Sequence, residues 1–408
     1  MGSFRGFVGT GLGEDLPSQR RQDHRSRPRQ SGLGAGALST CIVASILGLL
    51  ACGTATARVE PKIRVLLYSG SEPIQVGLST RPDEVKLAPG GGLLVGGRKE
   101  TSGWMPRGRG PWRVGTRTVR GQIAVTVETG RIVVLNRVGL EDYVASTVGG
   151  EMSSSWPSEA LRAQAVAART YALHEAGKRR GAAWDVRATT LSQVYRGVDA
   201  ETKETRSATR ATAGEVLTYA GAPILAVFHS TAGGRTATAA EVWGQDLPYL
   251  RVVEVEDEDD APHTYWRTAF EAKALQGILE SAGVFVGRFQ GLSIEGRTAS
   301  GRVERLVVSG STGSVELSGS RLRSLLSAIG LRSTLFEIRE SPTGFVFVGS
   351  GHGHGVGMSQ WGARSMARQG ASYKRILGRF YPGARLENLP SRRIAGRGPR
   401  GAGEGDQE

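Results

Sequence analysis

Between Arg58 and Val138 apolar and polar residues alternate with a period of two, in short runs broken by glycines. Ile63-Arg64-Val65-Leu66-Leu67, Ile123-Ala124-Val125-Thr126-Val127 and Ile132-Val133-Val134-Leu135 are examples. That period predicts half-buried strands, and Gly90-Gly91-Gly92 and Gly96-Gly97 predict turns between them. From Leu140 the pattern changes. Glu141-Asp142-Tyr143 opens a short helix ending near Gly149-Gly150. Glu151-Met152 follows, and then Ser153-Ser154-Ser155-Trp156-Pro157 supplies helix-start residues. The long helix this predicts runs from Ser158 to about Ala176. It is apolar nearly all round and rich in alanine, the signature of a buried central helix. Gln164 and Arg169 are its polar exceptions, which must be hydrogen-bonded or face a cleft.

Further along, Ile224 to Phe228 predicts a strand, followed by the polar loop His229-Ser230-Thr231-Ala232-Gly233-Gly234. The acidic run from Glu254 to Asp260 lacks EF-hand spacing and predicts a solvated loop. Residues 266–340 suggest helix, three strands, helix and strand, compatible with an inserted α/β lobe. Phe345-Val346-Phe347-Val348 then leads as a strand into Gly351 to Ala363, GHGHGVGMSQWGA. A helix is expected from Ser359 to Gln369, with Gly370 at its C′ position. The expected fold is α+β: a β-rich N-terminal region over 58–138, then a mixed α/β core over 139–390 around the central buried helix.

Composition narrows the partners. The 408 residues carry 52 Lys and Arg against 38 Asp and Glu, a net +14. No Lys/Arg block recurs with interleaved aromatics, which argues against nucleic acid and leaves a polyanionic cell wall or membrane surface. Residues 1–57 read as a leader: arginines from Arg20 to Arg29, then an apolar stretch, Ala37 to Cys52, too short to span comfortably as a helix. Leu49-Leu50-Ala51-Cys52 resembles a lipoprotein box, with Cys52 as the lipidated residue, while Ala55-Thr56-Ala57 offers an ordinary cleavage site. The lipoprotein reading is preferred. It implies an exported, periplasmic or cell-envelope protein anchored to the membrane through its lipid. Cys41 and Cys52 are the only cysteines, so the body of the chain has no internal disulfide and no cysteine-based zinc site. The stretch 391–408 reads as a disordered tail.

Candidate chemistry lies in two places. His352 and His354, set between glycines, suit an ordered ligand-facing loop, a structural turn or a weak metal run. Glu151 lies among small and apolar residues just before the long helix. It is either a carboxylate near a positive helix N-terminus or a buried acid. The first would lower its pKa and the second raise it, so an acid role requires burial to win.

Two segments together resemble one family. Leu140-Glu141-Asp142-Tyr143 through Tyr171, with EM and WPSEALRAQAVAARTYA at its heart, is similar to the stage II sporulation protein D family, also called the amidase-enhancer family. GHGHGVGMSQWGARSMA followed by ILGRFYPGA resembles that family's C-terminal signature. Gln193-Val194-Tyr195-Arg196-Gly197, HSTAGG and EVWGQDLPYL agree in order between them, so the resemblance spans residues 60 to 390. It implies an exported peptidoglycan lytic transglycosylase cleaving MurNAc–GlcNAc strands, preferably denuded ones, to leave 1,6-anhydroMurNAc ends. Glu151 would be its single acid and base. Gln164, Arg169, Gln193, His229, Ser230, His352, His354, Gln360 and Trp361 are candidate sugar contacts, since amide, imidazole and hydroxyl groups match sugar hydroxyls and indoles stack on sugar faces. No cofactor is implied, and a family zinc held by cysteines has no ligands here. The alternative the family name carries is a non-catalytic wall-binding protein that enhances a cell-wall amidase.

Overall fold

The computed structural model describes residues 60–389, apart from Asp257 and Asp259. The leader, Cys52 and the tail from Ser391 lie outside the described residues. The fold is α+β and β-rich. Eight helices are described: α1 (Leu140–Glu151), α2 (Ser158–Lys178), α3 (Lys203–Ala211), α4 (Ala239–Trp243), α5 (Ala272–Ser281), α6 (Gly319–Ala328), α7 (Gln360–Arg368) and α8 (Tyr373–Phe380).

The alternating runs of the N-terminal region form two sheets. Lys62–Gly70 pairs antiparallel with Arg131–Gly139, which pairs with Gln122–Glu128, and Val186–Arg187 adds a parallel edge. Six shorter strands between Ile74 and Val119 make the second sheet. In Arg131–Gly139 the side chains of Ile132, Val134 and Val138 are buried with a period of two, and Val133 on the other face is buried too.

Helix α2 is the axis of the core. Ala160, Ala163, Ala165, Val166, Ala167 and Ala168 are all fully buried, and α2 packs against α1, α3, α7, α8 and the strand Glu215–Tyr219. Methyl-sized side chains let neighbours approach on every side. Each larger buried aliphatic, such as Leu161, contributes ~1.5–3 kcal/mol. Contrary to expectation, Ile224 to Phe228 is not a continuous strand. Only Ala222–Pro223 and Phe228–His229 are strand segments, and Ala226 and Val227 instead close tight turns onto Ile224 and Leu225.

A second hydrophobic cluster is built wholly from residues between Trp266 and Phe347. Tyr265–Glu271, Gly344–Ser350 and Phe336–Ser341 make one sheet, and Phe289–Arg297, Val303–Gly310 and Gly313–Ser318 another. This region is tied to the main core by polar contacts. Arg302 donates to the carbonyls of Ala232 and Arg235, Ser300 bonds Glu241, and Trp266 Nε1 donates to Gly351 O at 3.0 Å.

Candidate functional site

Glu151 is the last residue of α1, not a residue ahead of α2. Helix α1 ends one residue past Gly149-Gly150, close to where the sequence placed its end. The distinction bears on the electrostatics, because a helix C-terminus carries partial negative charge and opposes ionisation of a carboxyl there. The tension between acid chemistry and a positive helix end therefore disappears. Gly150 also has a packing reason: a Cβ on it would stand 2.3 Å from Val194 O. With no side chain there, the 193–200 segment lies directly on α1. Three bonds staple it: Tyr143 Oη donates to Gln193 Oε1 at 2.8 Å, Gly197 N–H to Ser146 Oγ at 2.8 Å, and Val194 N–H to Glu151 Oε1 at 2.7 Å.

The Glu151 carboxyl lines a cavity of about 420 Å³ with Tyr171, Ser192, Phe228, His229, Trp243 and the His352–His354 loop among its walls. Burial, the dominant influence, raises its pKa above the ordinary carboxylate value, against the opposing pull of the Val194 amide, Gln360 and Arg196. Gln360 faces the carboxyl and favours its anion, but its Nε2 completes no hydrogen bond of normal geometry. Glu151 is the one carboxyl group among the described residues lining this cavity.

The opposite wall is two loops laced together. Phe228–His229 pairs parallel with Met358–Ser359. Thr231 and His352 exchange backbone bonds, and Ala237 N–H donates to Gly355 O at 2.7 Å. Beneath them the buried Glu258 accepts from the amides of Ala232 and Gly233 and pairs with Ser359 Oγ. The glycines of the histidine loop serve this lacing. Gly353 (φ 106°) faces His229 Cβ, and Gly355 (φ 79°) leaves the space that the Arg302 guanidinium fills.

The two inner histidines differ. His229 Nδ1–H donates to Val356 O at 3.1 Å, so its Nε2 is an unprotonated lone pair, buried and without a protein partner. Burial holds its pKa well below the ordinary imidazole value. His354 uses both nitrogens structurally: Nε2–H donates to Phe228 O at 2.9 Å and Nδ1 accepts from Val356 N–H at 3.1 Å. Burial lowers its pKa to about 4. Only its ring face is left for a ligand. His352 is half-buried and packs edge-on against His263 at 5.0 Å.

Of the expected contacts, His229, His352 and His354 join Glu151 around the cavity, and Gln360 faces the same carboxyl. The others do not line it. Arg169 is fully buried and bridges helices: it pairs with Glu141 at 2.6 Å and donates to the carbonyls of Ala165, Thr209 and Glu215. Its charge is neutralised inside the core, so it has no donor left for a sugar. Gln193 lies behind Glu151 in the staple, and Gln164 is fully buried within α2. Ser230 is held by its carbonyl, which accepts from Trp361 N–H. The Trp361 ring packs edge-on against Trp156 at 4.9 Å, under the Arg364 guanidinium. Trp243, Tyr171 and Phe228 were not singled out by the sequence reading, yet they line the cavity. Trp243 ends α4, is 36% exposed and leans on the His354 ring at 5.2 Å. An exposed indole closing the short helix of EVWGQDLPYL was the available signal. Among the described residues no group of three or more His, Cys, Asp or Glu is placed to hold a metal ion.

A family model described as Stage II sporulation protein matches residues 128–219, which include α1, Glu151 and α2. A model described as Domain of unknown function (DUF8618) matches 251–357. An uncharacterized protein of Brachyspira hyodysenteriae is 34% identical over 62% of this chain and 67% of its own length. Stage II sporulation protein D of Bacillus subtilis is 33% identical over 62% of this chain and 75% of its own length. The Amidase enhancer of the same organism is 32% identical over 59% of this chain, but the match spans only 39% of that longer protein.

Proposed function

The chain belongs to the stage II sporulation protein D family, and on that premise we propose that it is a lytic transglycosylase of peptidoglycan glycan strands. The observation that carries the reading is Glu151: the one carboxyl group among the described residues lining its cavity, at a helix C-terminus, with its pKa raised by burial. A carboxyl that keeps its proton to higher pH than an ordinary carboxylate is suited to protonating a glycosidic oxygen.

In the proposed reaction Glu151 Oε1 stays on the Val194 amide and Oε2 carries the proton. Oε2 protonates the oxygen linking MurNAc C1 to GlcNAc, and that C1–O bond breaks. The carboxylate then takes the proton of the MurNAc C6 hydroxyl while its oxygen bonds C1. The product is a 1,6-anhydro ring, Glu151 is protonated again, and no water is consumed. One carboxyl therefore suffices where hydrolytic glycosidases need two. The lone pair of His229 Nε2 accepts a sugar hydroxyl, and the Trp243 face stacks on a ring. The same reading puts the protein in the cell envelope, lipid-anchored at Cys52 and exposed to the wall.

The similarity to a protein named Amidase enhancer favours a second reading, a wall-binding partner of an amidase with no chemistry of its own. Mass spectrometry of denuded glycan strands after incubation separates the two. 1,6-AnhydroMurNAc ends that vanish with Glu151→Gln support catalysis. Their absence with the unaltered protein supports the enhancer.

A further inference from the structure

A second cavity, about 790 Å³, adjoins the first and shares Trp243, His352, Gly353 and His354 with it. Both volumes lie in the range of small-ligand sites. The far wall of the second comes from the 266–350 region, from α6 and the segment after it. Most of its charged groups are already engaged. Glu241 is bonded to Ser300 N–H and Oγ, and Arg302 to the carbonyls of Ala232 and Arg235. Arg332 reaches His263 Nε2 at 3.3 Å, and Glu304 is exposed.

Among the arginines of this cavity Arg323 is the exception. This α6 residue is half-buried in the cavity wall and makes no hydrogen bond or ion pair with a described residue. Partial burial lowers its pKa, and its charge is felt at His354 on the shared ridge. A guanidinium drawn partly out of water without an anion is unfavourable unless a ligand supplies one. Its planar fork fits a carboxylate through two parallel bonds.

We infer that this second cavity is a subsite for a carboxylate on the glycan substrate, with Arg323 as the group that recognises it. The inference rests on the glycan reading above. A muramic residue carries a carboxylate on its lactyl ether when the strand is denuded. When a stem peptide is attached, that group is an amide and the carboxylates lie on the peptide.

The test uses Glu151→Gln protein, which holds strands without turning them over. Calorimetric affinities are measured for denuded oligomers, the same oligomers with lactyl carboxylates reduced to alcohols, and peptide-bearing oligomers. Adding Arg323→Ala should weaken the carboxylate ligand about tenfold or more and leave the reduced oligomer unchanged. Arg321→Ala, an exposed change of equal charge on the same helix, should do neither. If denuded strands are the ones weakened, the lactyl carboxylate is the ligand. If only peptide-bearing strands are, the stem peptide supplies it. An Arg323→Ala effect equal on all three, or absent from all three, overturns the subsite while leaving the glycan reading intact. Failure of the Glu151→Gln protein to bind any strand sinks both.

Discussion

The backbone N–H of Val194 donates to Glu151 Oε1 at 2.7 Å, across 43 residues of chain. That bond ties one carboxyl oxygen to the backbone of the 193–200 segment. It also favours the anion, so the raised pKa of Glu151 is the net result of burial outweighing it.

Replacing Glu151 by Gln should lower turnover of denuded strands by roughly 10²–10⁴-fold, the range of a general acid. Binding should survive, and the variant should melt no lower than the parent at neutral pH. Chromatography of anhydro-ended products with a parallel melting curve checks both halves.

The sign of the pH dependence follows from the same carboxyl. Its folded-state pKa is raised, so its contribution to stability is full below the unfolded carboxyl value and is lost as pH rises through the folded one. Turnover, which needs the protonated form, should fall over that same rise. Glu151→Gln should remove this loss of stability, seen as a flatter plot of melting temperature against pH.

Gly150→Ala sets two effects against each other. Alanine favours a helix interior by about 1 kcal/mol over glycine, but its Cβ would stand 2.3 Å from Val194 O. Backbone cannot yield as a flexible side chain can, so the 193–200 segment must shift. The expected result is a loss of turnover larger than the change in stability, read from kinetics and melting on one preparation.

His354 and His229 should separate cleanly. His354→Ala removes two backbone hydrogen bonds and should cost roughly 1–3 kcal/mol of stability. His229→Asn should act mainly on substrate affinity, because His229 lines the cavity and the Nε2 it loses has no protein partner. Both imidazoles have lowered pKa values. Stability should therefore fall as pH drops below the ordinary imidazole range, toward about 4 for His354. Chemical denaturation across that window measures it, and His354→Ala should blunt the decline.

Arg169→Met should destabilise the core by roughly 3 kcal/mol, the lower end for breaking a buried pair, since Glu141 keeps partial access to water. A lost sugar contact would instead leave melting unchanged and raise KM.

The local periods of the chain determined most of the elements. Two-residue alternation specified the N-terminal strands, and the alanine-rich run specified α2, because side-chain direction repeats with the backbone that carries it. The Glu-Met-Trp-Pro and Gly-His segments were also enough to point to the family, and with it to Glu151. What the sequence could not determine was where polar groups end up. Arg169, a polar side chain in an apolar run, had to be hydrogen-bonded or face a cleft, and Gln193 was a candidate sugar contact. Only the packing of α1 against α2 and the 193–200 segment supplied Glu141 and Tyr143 as their partners. The glycines of the histidine loop suited a ligand-facing loop, a structural turn or a metal run alike, and only the fold shows that His229 and Arg302 occupy the space two of them leave. Trp243 and Arg323 gave no periodic signal, because a cavity wall is assembled from distant segments. Its chemistry depends on which side chains the fold leaves without partners, and that is settled only when the tertiary contacts form.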